Sequence, residues 1–111
     1  GGGGAARLED ARGLAKRLQR AFEQRYYDGV SQERWARSLL VAEYPPSSVY
    51  RWFHAAMECF DEAQAQAGAG NDDAVLRWNA CVRIMQQYRI EPADHEEPVD
   101  SMQGWDDVPM G

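Results

Sequence analysis

The 111-residue sequence is short of the groups that build most catalytic and metal centres. Cysteine occurs twice, as Cys59 and Cys81, and histidine twice, as His54 and His95. A structural zinc site draws four ligands at tight local spacing, which these residues do not offer. No metal site and no cofactor are therefore expected, and the cysteines read as reduced, buried thiols of a cytoplasmic protein. The chain also lacks a Gly-rich phosphate loop and a nucleophile elbow. His54 and Glu58 stand four residues apart, a spacing that gives a surface ion pair more often than an acid–base couple. No catalytic residue is assigned, and the chain is expected not to be an enzyme. The longest apolar run, Leu39-Leu40-Val41-Ala42, is far too short to cross a bilayer. No charged-then-apolar leader opens the chain, so neither export nor a membrane partner is expected. Strand-like alternation and internal repeats are missing as well.

What is present suits one small helical domain. Four Trp, five Tyr and three Phe supply enough aromatic area for a core. Leu8, Ala11, Ala15, Leu18 and Phe22 recur at steps of three and four, predicting a first helix over residues 6–26 with those residues inward. Asp28-Gly29 is expected to break it. Ser31 is a suitable N-cap for a second helix, with Trp35 and Leu39 inward, which must end before Pro45-Pro46. Ser47 or Ser48 is expected to cap a third helix, striped by Val49, Trp52, Phe53, Ala56, Met57 and Phe60. Gly68-Ala69-Gly70-Asn71 ends it. A fourth helix starts at Asp72 or Asp73, with Val75, Trp78, Val82 and Met85 on one face, and Pro92 stops it. The expected fold is all-α: a compact bundle of about four helices over residues 6–90, after a disordered start at residues 1–5.

Charge divides the chain. Residues 7–54 carry nine Lys/Arg and six Asp/Glu, whereas residues 58–111 carry three Arg and twelve Asp/Glu. A mildly basic front and a strongly acidic back suggest two different partners. From residue 91 onward acids alternate with Pro92, Pro98 and Pro109. Such a segment buries too little apolar surface to offset its ordering entropy, and a flexible acidic tail over residues 91–111 is expected. Within it Trp105, flanked by Asp106 and Asp107, has the character of an anchor for a protein partner's groove.

The segment over residues 30–60 reads as helix, short turn, helix. A short helix with Ala36 near its middle is followed by Ser47, Ser48, Val49 and Tyr50 at the start of the next. This resembles a DNA-binding helix-turn-helix, and the wider layout over residues 25–92 resembles phage terminase small subunits. The turn departs from that pattern, because Glu43-Tyr44-Pro45-Pro46 stands where a glycine is usual. The resemblance implies that double-stranded DNA meets Arg34, Arg37, Ser47, Ser48, Tyr50 and Arg51, with hydroxyls and helix-end amides on phosphates and Arg51 on base edges. The alternative is a protein–protein adaptor, such as a phage-encoded inhibitor of a host protein, acting through helix faces and the Trp105 tail. A third reading is self-association into a homo-oligomer.

Overall fold

A computed structural model describes residues 2–93. Trp105, Asp106, Asp107 and the rest of residues 94–111 lie outside the described residues. Among the described residues the fold is all-helical, with three helices rather than four: α1 (Gly2–Val41), α2 (Pro46–Ala65) and α3 (Asp73–Gln87). It is elongated rather than compact. Its radius of gyration is 20.0 Å and its extents are 75 × 30 × 17 Å, against about 13 Å for a compact 100-residue domain.

The missing break explains both differences. Asp28 and Gly29 lie inside α1, which runs without interruption for 40 residues, about 60 Å at 1.5 Å per residue. A glycine costs a helix roughly 1 kcal/mol relative to alanine, and here packing outweighs that cost. A Cβ on Gly29 would lie 2.6 Å from Cε1 of Phe60, so the missing side chain is what lets α2 approach. At the N-terminus α1 begins at Gly2 instead of residue 6. Adding a turn to an existing helix avoids the nucleation cost, so even poor helix formers can be carried along.

α1 ends in a Schellman arrangement. The Tyr44 amide donates to the Leu39 carbonyl at 3.0 Å and the Glu43 amide to the Leu40 carbonyl at 3.1 Å. Glu43 takes the left-handed position, φ 61°, that glycine usually fills. The two prolines then set the entry to α2. Pro45 is the N-cap and Pro46 opens the first turn, where a missing N–H costs nothing. Neither Ser47 nor Ser48 caps the helix, because the proline pair places the boundary ahead of them; no side-chain cap bond forms.

α2 folds back antiparallel along the C-terminal half of α1. Trp35 meets Trp52 edge to face at 6.4 Å, and Arg25 bonds Glu62 at 2.7 Å. α2 inserts Val49, Phe53, Ala56, Phe60 and Ala63, a repeat of fours and threes, and all five are fully buried. Burying each Phe contributes about 2–3 kcal/mol. α3 packs on α2, reaches α1 through Arg77, and adds Ala74 and Cys81 to the core. Its end is a second Schellman turn: Arg89 takes φ 53°, and the Ile90 amide bonds the Met85 carbonyl at 2.8 Å, tucking Ile90 into the core. No described helix is long and apolar enough to cross a membrane.

Candidate functional site

The six residues assigned to DNA fall into two groups. Ser47, Ser48, Tyr50 and Arg51 share the first turns of α2. Arg51 is exposed, the serines are half-buried, and Tyr50 stacks on His54 at 5.6 Å. Arg34 and Arg37 lie on α1, three residues apart. Gln32 and Trp35 mark the edge of α1 that faces α2, through Cys59 and Trp52 respectively. Arg34 shares its side of α1 with exposed Ser38, away from that edge. Arg34 is exposed, and its carbonyl accepts the Ser38 hydroxyl at 3.1 Å.

Arg37 is held by a buried carboxylate. Glu33 is only 2% exposed. Its Oε2 accepts from Arg37 Nε at 2.9 Å and Nη2 at 2.8 Å, and its Oε1 faces Arg77 Nη1 at 3.4 Å. Arg77 Nε donates to the Tyr26 hydroxyl at 3.2 Å, and its guanidinium lies over the Tyr26 ring. Hydrogen bonding to Tyr26 raises the Arg77 pKa, with further help from Glu33. The carboxylate thus joins α1 to α3 through Arg77, while Arg37 of its own helix supplies the second guanidinium that a buried charge requires. Nothing in the spacing revealed it, because Glu33 sits in the first turn expected of a helix starting at Ser31, where an acid needs no other reason.

Neither thiol is chemically poised. Both cysteines are free and buried. Burial pushes Cys81 up to about 12, with the Glu33 charge adding to the effect. Burial likewise raises Cys59, although Arg25 and Gln32 direct N–H groups at its sulfur from 3.6 and 3.5 Å. A nucleophilic cysteine needs the opposite shift. His54 and Glu58 form an exposed pair at 3.8 Å. Among the described residues no cluster of His, Cys, Asp and Glu could hold a metal ion.

The unusual surface is apolar. Residues expected inward stand in solvent: Leu8 and Leu18 on α1, Trp35 further along it, and Val75 and Trp78 on α3, with Leu14 and Leu76 exposed beside them. Their exposure follows from the three-helix topology, which among the described residues provides no second layer over them. Between α2 and α3 runs a shallow groove of about 240 Å³ lined by Phe60, Gln64, Ala74, Val75 and Trp78. His54, Met57, Glu58, Asp61 and Trp78 line a neighbouring depression.

The second exposed surface is the N-terminal arm of α1. Leu8, Ala15, Phe22, Gly29 and Ala36 are seven residues apart, and so are Ala11, Leu18, Arg25, Gln32 and Leu39. The two sets form one heptad seam. From Phe22 onward α2 covers it; from Leu18 back to Leu8 nothing among the described residues does. Arg7, Arg12, Lys16, Arg17 and Arg20 are exposed on this arm and form no ion pair among the described residues.

Charge is distributed unevenly between fold and tail. All twelve Lys/Arg and twelve of the eighteen Asp/Glu precede residue 94, so residues 94–111 hold the whole formal charge of −6. Comparison with known proteins assigns no family: no family model, no curated protein and no solved structure matches the chain.

Proposed function

We propose that this protein is a non-enzymatic helical interaction module that binds a protein partner through the α2–α3 face. The observation carrying this reading is the exposed apolar strip of Val75, Leu76 and Trp78 beside the Phe60–Gln64 groove. Large apolar patches on a charge-balanced body favour a protein partner over a polyanion. Asp61 and Glu58 rim the strip, which suits a partner whose apolar anchor is flanked by basic groups. The tail around Trp105 would supply a second contact.

The test places a photo-crosslinking side chain at position 78, with one at position 51 as the control. A discrete adduct from position 78, lost when Val75→Asp is added, supports the reading. Its absence, with adducts only from position 51, refutes it.

A second reading is favoured by the unpaired cations of the arm together with exposed Arg34 and Arg51. On it the chain is a DNA-binding component of the terminase small-subunit kind, with a helix-turn-helix-like pair and Arg34, Arg37, Ser47, Ser48, Tyr50 and Arg51 on the duplex. Affinity for duplex DNA would then fall steeply with salt. Arg51→Ala that leaves that affinity unchanged counts against the α2 site, and unchanged affinity after Lys16→Ala with Arg20→Ala counts against the arm.

A further inference from the structure

We propose that the arm of α1 is an antiparallel pairing surface for a second copy of this chain. The inference goes beyond the α2–α3 face and stands independently of it.

The first argument is continuity. The seam that α2 fills from Phe22 to Leu39 runs on along the same side of α1 as Leu18, Ala15, Ala11 and Leu8. Leu14 widens it, and Leu8, Leu14 and Leu18 are 52%, 50% and 42% exposed. A helix that packs on one half of a heptad seam leaves the other half suited to a second helix of similar geometry.

The second argument selects the occupant. Read about residue 13, the seam is a palindrome: Leu8, Ala11, Ala15 and Leu18 are spaced three, four and three apart. An antiparallel two-fold pair centred there sets Leu8 against Leu18 of the second copy and Ala11 against Ala15 of the second copy. The leucines close the ends, and the alanines let the backbones approach in the middle. Leu14 lies next to its own symmetry mate. Such self-complementarity is what an isologous contact requires, each interaction occurring twice. In this register residue 4 of the second copy lies opposite Phe22, so its arm occupies the stretch that α2 leaves bare.

Asp10, Lys16, Arg17 and Arg20 all lie more than a quarter turn from the seam and stay in water, so the apolar palindrome alone sets the register.

Sedimentation equilibrium of the full chain over a wide concentration range tests this. A reversible dimer is expected. Leu14→Asp with Leu18→Asp should abolish it at unchanged helix content, since both side chains are exposed in the single chain. Asp10→Arg with Arg17→Asp, both off the seam, should leave the dimer intact. A monomer at all concentrations overturns the proposal, as does a dimer indifferent to the leucine changes. Trp105→Ala with Asp106→Asn and Asp107→Asn in the full chain should leave the dimer intact; its loss would make the tail the occupant. Val75→Asp should also leave it intact, which separates failure here from failure of the α2–α3 reading.

Discussion

Gly29 offers a sharp test of the helix pairing. An alanine there adds one methyl group and ordinarily improves a helix by about 1 kcal/mol. At this position the new carbon would meet Phe60 Cε1 at 2.6 Å, Cδ1 at 2.8 Å and Cζ at 3.0 Å, where ordinary contact begins at 3.4 Å. Phe60 is fully buried and packs on Tyr26 at 5.8 Å between centroids, so displacing its ring disturbs the core around it. Overpacking of this kind costs about 2–3 kcal/mol. After subtracting the propensity gain, Gly29→Ala should destabilise the fold by about 1–2 kcal/mol, lowering Tm by roughly 5–12 °C. Urea denaturation gives the free energy directly. Phe60→Leu should be costly alone yet partly relieve Gly29→Ala, with a coupling of about 1 kcal/mol in the double-mutant cycle. Gly13→Ala is the control. The nearest atom to its added carbon is Arg17 Nη1 at 3.7 Å, and the change should raise helix content. A Gly29→Ala variant more stable than the parent would refute a continuous α1 packed on Phe60.

Three further outcomes are expected. Glu33→Ala should cost about 1–2 kcal/mol in denaturant, less than a fully buried pair would, because Arg37 and Arg77 are 50% and 41% exposed and can turn to water; a neutral result would remove the network's role in holding α3. Cys81 should resist iodoacetamide at pH 8 in the folded protein and react on unfolding. Because the fold raises the pKa of this acid from 9.0 to about 12, the unfolded state releases its proton first. Stability should therefore fall as pH rises from about 9 towards 12, and Cys81→Ala should flatten that slope. Arg89→Gly should stabilise by about 0.5–1 kcal/mol, since glycine occupies the left-handed C′ position without a Cβ penalty; a destabilised variant would mean that the arginine side chain matters more than its backbone angle.

Much of the fold is legible in the residues. The stripe of Val49, Phe53, Ala56 and Phe60, the stop at Pro45-Pro46 and the exit at Gly68-Ala69-Gly70 depend on local geometry and appear where periodicity puts them. Asp28-Gly29 misleads because glycine has two uses, breaking a helix or letting another helix come close, and the second is invisible without Phe60 across the interface. The reading of Leu8, Ala11, Ala15 and Leu18 as one face is sound, but their burial depended on a partner helix that α2 is too short to provide. Glu33 escaped notice because its partners are four and forty-four residues away.

By itself the sequence determined an all-helical fold over the described residues, the faces its helices present, the thiols' burial and a division of charge that leaves the last eighteen residues acidic. These follow from periods of three and four, from proline, and from counting, all of which act locally. Only the tertiary structure decided that α1 runs unbroken, that α2 covers just its C-terminal half, and that Glu33 ties α3 to α1. The reason is physical: whether an apolar stripe becomes core or interface depends on what reaches it, and reach is set by how far the neighbouring helix extends.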